Sequence, residues 1–356
     1  IFPVTLGHQR LSIIDLSEAG RQPMAHNQSG ITLVYNGECY NFKTLRSELQ
    51  GLGHNFHSTS DTEVVLNAWV QWGADCVKRL QGMFAFAVWD PREQSLFLVR
   101  DRLGVKPLYF SADTKALVFS SVLRGILAGG LVKRELAPEA VESYLWHGFV
   151  AGRQSIVKGV ELLQPGCIAK FDLPNFNLSI KRYWNIVDAT RPKPTDLSND
   201  PVKALEDAIK LRLVSDVPLG VFLSGGVDSS VVAAVAQRNL DSQLKTFNVK
   251  FLESSYDESS YARSVAEQIG SDHHEIVMSE ASFVSQIDDA LGALDQPTFD
   301  GINTYVVSRA VRERGITVAL SGAGGDELFG GYPSFHELPK IAWALIDKNL
   351  WRLRRG

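Results

Sequence analysis

Two glycine- and serine-rich stretches in the second half of the chain have the residue types that bind phosphate. The first reads Ser-Gly-Gly-Val-Asp-Ser-Ser over residues 224–230, and the second reads Ser-Gly-Ala-Gly-Gly-Asp-Glu over residues 321–327. Paired glycines let backbone N–H groups approach an anion closely, and a following helix directs its positive end to the same place. Because the Asp228 carboxylate would repel phosphate, we expect a Mg²⁺ ion between them, with Asp326 as its second carboxylate ligand. The alternative is a tight strand-to-helix turn that binds nothing.

A second group of candidate residues lies in the first half of the chain. The Asn36 side-chain amide and the Gly37 backbone N–H are two donors that can stabilise an oxyanion. The carboxylates of Glu38 and Asp61 can hold an ammonium group, and the Arg10 guanidinium can hold a carboxylate, so that together they would clasp an amino acid. Taken alone, the pattern favours a plainer interpretation, in which a strand ends at an Asn36-Gly37 turn and the charged residues are solvated.

Apolar periodicity indicates the elements that must position the first group of donors and acids. Short apolar runs separated by turns predict a largely antiparallel sheet with two helices, the second of which opens on Asp61 as its N-cap. The predicted strands are residues 31–35, 83–89, 96–100 and 117–120, and the predicted helices are residues 42–51 and 61–72. This half is therefore expected to be an α+β domain of stacked layers.

The second half of the chain alternates strands with helices. The predicted strands are residues 219–223, 246–251, 275–277 and 317–320, and the predicted helices are residues 231–238, 261–269 and 302–314. This order is typical of an α/β domain with a parallel sheet, which binds ligands at the carboxyl ends of its strands, where both glycine-rich stretches fall. Residues 188–201 are rich in proline and aspartate and predict a linker between domains at 1–187 and 202–356.

Asp295, Gln296 and Asp300 precede one of these predicted helices. We interpret them either as residues that meet an acceptor substrate or as helix caps.

Composition narrows the classes of function. The 356 residues carry a net charge of −4, which does not indicate nucleic-acid binding, and no apolar run approaches the ~18 residues that a membrane span needs. Cys39, Cys76 and Cys167 are far apart and predict neither a disulfide framework nor a zinc site, so we expect a cytoplasmic protein. Because the first residue is Ile1 rather than methionine, we also expect the chain to be part of a longer protein.

A series of motifs, in order along the chain, resembles the glutamine-dependent asparagine synthetases. Residues 7–15 (Gly-His-Gln-Arg-Leu-Ser-Ile-Ile-Asp), 36–41, 60–63, 81–86 and 100–109 match the first half of that family, and residues 224–230, 272–275 and 321–332 match its second half. The resemblance implies an N-terminal-nucleophile-type α+β sandwich (αββα) that releases ammonia from glutamine. It also implies a following α/β parallel-sheet ATP-pyrophosphatase domain, of the adenine nucleotide alpha hydrolase-like kind, that adenylates a carboxylate.

The same resemblance implies a role for each matching residue. Glutamine would be bound by Arg10, Leu11, Ser12, Ile13, Ile14, Glu38 and Asp61, with Asn36 and Gly37 as its oxyanion hole. ATP would be bound by Leu223, Ser224, Gly225, Gly226, Asp228, Ser229, Val249, Ser321 and Gly322, and Mg²⁺ by Asp228 and Asp326. The implied partners are small molecules (glutamine, ATP and aspartate) rather than nucleic acid or a membrane, and the candidate assembly is a homodimer.

Three departures from the family pattern qualify these implications. The family's nucleophile is a cysteine just after the initiator methionine, which is absent from this chain, and Cys39 is expected to be a small buried apolar residue rather than a substitute. Ala323 stands where many members have an acid, and Val122 where a glutamate is common. These leave open an amidotransferase for another carboxylate acceptor, or a catalytically inactive member with a binding role.

Overall fold

The computed structural model describes residues 4–113, 116–189, 200–251 and 258–341. They form two compact units. One takes the described residues of 1–217 together with 283–309, and the other takes those of 218–282 and 310–356. Most of the expected linker, residues 190–199, and the last part of the expected second domain, residues 342–356, lie outside the described residues. The domain boundaries inferred from the sequence therefore stay predictions.

The first unit is built on two antiparallel sheets. The larger sheet has the order β1-β2-β3-β4-β8-β9 and the smaller has the order β6-β5-β7. The strands are β1 (Met24–Ala25), β2 (Thr32–Cys39), β3 (Gly82–Asp90), β4 (Ser95–Arg100), β5 (Tyr109–Ala112), β6 (Leu117–Ser120), β7 (Glu161–Leu162), β8 (Cys167–Asp172) and β9 (Asn177–Arg182).

Helices cover the outer faces of this pair of sheets. Strand β3 shows the layering, because Phe84 and Phe86 pack with the helices α1 and α2 on one face, whereas Ala85 and Ala87 pack with the smaller sheet on the other. Helix α3 packs on the outer side of the smaller sheet. The helices that residues 1–217 contribute to this unit are α1 (Phe42–Gly51), α2 (Asp61–Trp72), α3 (Leu123–Ala128), α4 (Pro138–His147), α5 (Ile186–Ala189) and α6 (Pro201–Leu211). The expected αββα sandwich is confirmed.

The second unit contains a parallel sheet of the order β12-β11-β10-β13. Its elements are β10 (Leu219–Phe222), α7 (Val227–Arg238), β11 (Lys245–Phe251), α8 (Ser259–Ile269), β12 (Asp272–Met278), β13 (Val318–Leu320) and α12 (Gly325–Phe329). Between β12 and β13 the chain forms α9 (Glu280–Val284), α10 (Ile287–Ala293) and α11 (Gly301–Arg312), of which α10 and most of α11 belong to the first unit. The predicted α/β architecture is confirmed. Within the described ranges, no helix is long and apolar enough to cross a membrane.

The predicted turn at Asn36-Gly37 is wrong, because β2 continues through both residues to Cys39. Asn36 pairs with Ala85 and Gly37 with Phe84 of β3. A Cβ at Gly37 would lie 2.7 Å from the Phe84 Cα, so the glycine allows the two strands to approach. Strand pairing over the whole length of β2 thus overrides the local turn preference of an Asn-Gly pair.

Helix boundaries account for the other differences from the sequence predictions. The N-cap of α2 is Ser60, whose hydroxyl accepts the Thr62 N–H, so Asp61 is the first helical residue rather than the cap. Helix α7 begins at Val227 rather than at residue 231, which places Asp228 in its first turn. Asp326 similarly lies in α12 and not in a loop.

Candidate functional site

A cavity of about 370 Å³ in the first unit collects nearly all the residues predicted to bind glutamine. Its wall comes from the segment before β1, from β2, from the start of α2 and from the turn after β6. The predicted residues in the wall are Arg10, Leu11, Ile13, Ile14, Asn36, Gly37, Glu38 and Asp61, whereas Ser12 does not line it. The fold therefore brings a set of donors and acids to one concave surface, although their individual roles stay predictions.

Glu38 and Asp61 are two buried acids in this cavity, each 5% exposed. Asp61 Oδ2 accepts the Cys39 N–H at 2.9 Å, whereas Glu38 Oε1 has no hydrogen-bond partner among the described residues. Burial, and then the negative charge of Asp61, raises the pKa of Glu38, and burial also raises the pKa of Asp61. A cation between them would relieve both effects, so this pair is suited to an ammonium group.

The Asn36 side chain is held by a hydrogen bond at the edge of the cavity. Its Nδ2 donates to Ser121 Oγ at 3.1 Å, and both residues belong to the cavity wall. An amide nitrogen carries two N–H groups, and Ser121 takes only one of them. The other N–H can therefore donate to a ligand oxygen, as an oxyanion hole requires.

Arg10 is anchored to backbone carbonyls beside the cavity. Its Nη2 donates to Ile14 O at 2.8 Å and to Asp15 O at 2.6 Å, and its Nη1 donates to Ser17 O at 3.3 Å. The guanidinium lies against Gly20, where any side chain would collide with it. Of its five N–H groups, the two remaining ones, on Nε and Nη1, make no hydrogen bond within the described structure, and either can donate to a carboxylate oxygen.

Reasoning from the sequence missed the residues that shape the loop beside this cavity. Asp101, 1% exposed, accepts the N–H groups of Leu103 at 3.1 Å, Val105 at 3.0 Å and Lys106 at 3.0 Å. Lys106 itself lines the cavity. The motif at residues 100–109 was the signal for them, but a motif does not distinguish residues that touch a ligand from those that position others.

In the second unit, the first glycine-rich stretch connects β10 to α7 in a closely packed turn. Gly225 has a φ of +85°, and a Cβ there would lie 2.6 Å from the Ala262 N atom of α8. The hydroxyls of Ser224 and Ser229 lie 3.0 Å apart, and Ser224 Oγ accepts the Gly226 N–H at 3.3 Å. These contacts order the turn at the carboxyl end of a parallel strand, where a helix N-terminus can bind an anion.

The second stretch meets the first at the start of α7. A Cβ at Gly322 would lie 2.7 Å from Ser229 N, and one at Gly325 would collide with the Asp228 carboxylate. The Asp326 carboxylate lies against Gly331, so a Cβ at Gly331 would collide with it. The Tyr332 hydroxyl donates to Glu327 Oε1 at 3.0 Å. That bond and the Glu327 charge, with smaller effects of Asp326 and Asp228, raise the pKa of Tyr332. The structure thus places Asp228 beside the residue that precedes Asp326, although the described residues contain no group of three or more side chains that could hold a metal ion.

Asn248 is a second residue that the sequence did not single out. It is 5% exposed, and its Nδ2 donates to Leu223 O at 3.0 Å. Its Oδ1 is a buried acceptor with no partner among the described residues. Leu223 and Val249 were predicted to flank adenine, and Leu223 is itself buried and bonds Phe247 O through its N–H at 2.8 Å. An unpartnered acceptor at this position suits a ligand with an N–H donor.

Asp295, Gln296 and Asp300 make hydrogen bonds of the capping or linking kind. Asp295 accepts the Arg124 N–H at 3.2 Å at the start of α3, and Gln296 Oε1 accepts the Ile156 N–H at 2.8 Å. Asp300 precedes α11, and its Oδ2 accepts the Thr304 hydroxyl at 3.2 Å. These contacts favour the capping interpretation, and Asp295 caps a helix distant in the sequence rather than its own.

All three cysteines are buried and unpaired. Burial, followed by the Asp61 charge, raises the pKa of the Cys39 thiol, and its Sγ contacts Asn41 Oδ1 at 3.3 Å. A buried thiol with a raised pKa is a poor nucleophile. Cys39 therefore has the small, buried character expected from its position.

Comparison with known protein families places a different family model on each part of the chain. A glutamine amidotransferase domain model matches residues 3–184, and an asparagine synthase model matches residues 202–354. The first match includes every residue that lines the cavity with the paired acids, and the second includes both glycine-rich stretches.

Curated relatives match nearly the whole chain. A putative glutamine-hydrolysing asparagine synthetase 2 of Methanocaldococcus jannaschii is 39% identical over 93% of this chain and 67% of its own length. Glutamine-hydrolysing asparagine synthetase 3 of Bacillus subtilis is 36% identical over 94% of this chain and 57% of its length. Amidase chyE of Penicillium rubens is 33% identical over 94% of this chain and 52% of its length. The chain thus spans about half to two thirds of these relatives.

Proposed function

The chain belongs to the family of glutamine-hydrolysing asparagine synthetases, and from that premise we propose that the full-length protein converts aspartate to asparagine. Glutamine is the proposed nitrogen donor, and ATP activates the aspartate side-chain carboxylate as an acyl-adenylate. The observation that carries this proposal is the cavity in which two buried acids, Glu38 and Asp61, lie beside Arg10 and Asn36.

The ammonium, the carboxylate and the side-chain amide of glutamine can each interact with residues of that cavity. Its ammonium takes the position between Glu38 and Asp61, where it removes the cost of two neighbouring buried carboxylates. Its carboxylate accepts an N–H group of Arg10 that makes no hydrogen bond to a backbone carbonyl. The side-chain amide then points toward Asn36 and Gly37.

Asn36 and Gly37 stabilise the charge that develops when a thiolate attacks the glutamine amide. The attack gives a tetrahedral oxyanion, which the free Asn36 N–H and the Gly37 N–H bind more strongly than the ground-state carbonyl. The attacking thiol comes from the full-length protein and not from Cys39, because the Cys39 thiol is buried and its pKa is raised.

The glycine-rich stretches of the second unit form the proposed ATP site. The Gly225 backbone N–H and the N-terminus of α7 bind phosphate oxygens, and Asn248 Oδ1 accepts a hydrogen bond from the adenine amino group. Asp228 and Asp326 are the proposed Mg²⁺ ligands, because the Asp228 carboxylate lies against Gly325, the residue directly before Asp326. When bound there, Mg²⁺ would offset the negative charge of the leaving pyrophosphate.

A second candidate function is amidation of a carboxylate other than that of aspartate. Ala323 occupies the position where many family members have an acid, and its N–H lies 3.4 Å from Ser321 Oγ in the second glycine-rich stretch. A relative of similar identity carries the name amidase chyE rather than asparagine synthetase. The glutamine and ATP chemistry is the same in both candidates, and only the acceptor differs.

We also infer a cytoplasmic location and a homodimeric assembly. Three buried, unpaired cysteines support a reducing compartment. Cell fractionation tests the location, and light scattering after size-exclusion chromatography tests the dimer. A monomer in solution would contradict the assembly.

The deciding experiment uses the full-length protein with ATP, MgCl₂ and aspartate. One reaction receives ammonia and the other receives glutamine, and pyrophosphate and asparagine are measured together. Equal amounts of both products in both reactions are the expected result. Pyrophosphate that depends on ammonia alone would contradict the glutaminase proposal. No aspartate-dependent pyrophosphate in either reaction would contradict the asparagine proposal, and a panel of other carboxylates would then test the second candidate.

A further inference from the structure

Residues 293–296 dock on the N-terminus of α3, far away in the sequence. The Asp295 carboxylate accepts the N–H groups of Leu123 and Arg124, the first two residues of that helix. The Arg124 guanidinium donates in return to Ala293 O at 2.7 Å and Leu294 O at 3.1 Å. We call residues 293–296 the docking segment. It lies in the part of the chain that matches the asparagine synthase model, yet it packs within the first unit.

Helix α3 depends on this segment because its own N-cap residue supplies no side-chain acceptor. The N-cap position is Val122, which makes no capping hydrogen bond, and its backbone has the extended conformation (φ −134°, ψ 139°) of an ordinary cap. Asp295 thus supplies the cap from about 170 residues away. Its negative charge also interacts favourably with the positive end of the helix dipole.

Gln296 holds the strand next to the same turn. Its Nε2 donates to the Tyr109 hydroxyl at 3.0 Å, while its Oε1 accepts the Ile156 N–H at 2.8 Å. Tyr109 pairs with Ser120 across β5 and β6, immediately before the turn that leads into α3. The docking segment therefore contacts both the strand β5, which pairs with the strand that enters this turn, and the helix that leaves it.

The same turn lines the glutamine cavity and holds the proposed oxyanion donor. Residues 119–122 belong to the cavity wall, and Ser121 Oγ accepts the hydrogen bond from Asn36 Nδ2 at 3.1 Å. If the turn shifts, Ser121 moves with it, and the second Asn36 N–H no longer points to the same place. Arg10, Glu38 and Asp61 have no hydrogen bond to the turn, so their contacts with glutamine would stay.

We propose that Asp295 and Gln296 are positioning residues of the glutaminase site, acting through the 120–123 turn and Ser121 on Asn36. This role rests on the function proposed above. The docking segment, although it lies in the part of the chain that matches the asparagine synthase model, would thus take part in glutamine hydrolysis. The Asn36 side chain would have its productive orientation only while this segment is docked. Displacement of the segment lowers the rate of ammonia release without releasing glutamine.

The test compares glutamine hydrolysis by the full-length wild-type protein with that of the Asp295→Ala and Asp295→Asn variants. We expect kcat to fall about 10- to 100-fold in Asp295→Ala, the loss typical of a misplaced catalytic group, while KM changes less than about twofold. Asp295→Asn keeps one carbonyl acceptor and should lose less. Asparagine formation from ammonia should be unchanged in both variants.

Two further variants separate positioning from general destabilisation. Val122→Thr adds a local cap of nearly the same size, and in the Asp295→Ala background it should restore most of the lost kcat. Asp289→Ala removes an exposed ion pair with Arg309 next to the docking segment and should leave kcat unchanged. Hydrogen exchange at Leu123 and Arg124 should be faster in Asp295→Ala and recover with Val122→Thr.

An unchanged kcat in Asp295→Ala, or a parallel loss of ammonia-dependent synthesis, would overturn the positioning role while leaving the proposed function intact. A wild-type protein without glutaminase activity would instead contradict the proposed function. The exchange rates of Leu123 and Arg124 then decide whether Asp295 holds the turn, and rates equal to those of the wild type would overturn that as well.

Discussion

Replacing Asp15 by asparagine should destabilise the protein by about 2 kcal/mol at pH 7. Asp15 is 7% exposed, and its carboxylate accepts hydrogen bonds from Ser17 Oγ at 2.5 Å, Thr59 N at 2.8 Å and Ser17 N at 3.0 Å. Burial by itself opposes ionisation, but these bonds outweigh it and lower the pKa from 3.8 to about 2. A pKa of Asp15 that falls from 3.8 to about 2 on folding means that the ionised carboxylate stabilises the folded state by about 2 kcal/mol.

The pH dependence of this effect follows from the direction of the shift. Because the pKa is lower in the folded than in the unfolded protein, the stabilisation is complete above pH 4 and is lost as the pH falls toward 2. Asparagine has nearly the same shape as the neutral acid, and it tolerates the positive φ of 59° at this position. The difference in unfolding free energy between the two proteins therefore contains no contribution from backbone strain.

Urea unfolding of both proteins at pH 7, 4.5 and 3 measures the effect. We expect the difference in unfolding free energy to be about 2 kcal/mol at the two higher pH values and about 1 kcal/mol at pH 3. Asp289→Asn, at an exposed ion pair, is the matched control and should differ little from wild type. A difference for Asp15→Asn that is absent at pH 7, or that stays constant down to pH 3, would refute the reasoning.

Three further predictions concern the two candidate sites. Glu38→Gln should raise KM for glutamine at least tenfold, as glutaminase kinetics would show. The same change should make the free protein more stable at pH 7, because a carboxyl with a raised pKa destabilises the fold once it ionises. Calorimetry of unfolding measures this second effect. Gly325→Ala should abolish ammonia-dependent pyrophosphate release by displacing the Asp228 carboxylate, whereas Gly292→Ala, with open space around its Cα, should not. Cys39→Ala should lower the free energy of unfolding by about 1 kcal/mol, measured by urea unfolding. It should leave kcat for glutamine unchanged in glutaminase assays, and a large loss of kcat would contradict the structural role of Cys39.

Elements with strong local signals could be predicted from the sequence. Helix α1 and strand β6 have the predicted bounds, because apolar residues at helical or alternating spacing mark them without help from distant residues. Strands β8 and β9 were not predicted. Strand β9 is mostly exposed, so it has no buried face to produce an apolar pattern, and its pairing with β8 is what makes it a strand.

In the candidate sites too, residue types could be predicted from the local sequence, whereas contacts between distant segments could not. The residue types at Arg10, Glu38 and Asp61 indicated an amino-acid site, and the fold does bring all three to one cavity. Their surroundings, however, depend on contacts between segments far apart. The unpartnered acceptor of Asn248 is an example, because nothing near it in the sequence reveals that it is buried.

Asp295 shows why the chemistry of a residue type can be predicted more readily than its partner. An aspartate before a helix is typical of an N-cap, and Asp295 does cap a helix. The helix is α3, whose own N-cap is Val122. A side chain that cannot accept hydrogen bonds there leaves two N–H groups to be satisfied from elsewhere, and the Asp295 carboxylate satisfies both. The valine at the N-cap of α3 and the contact made by Asp295 are therefore parts of one structural arrangement, and Val122→Thr in the Asp295→Ala background tests them together.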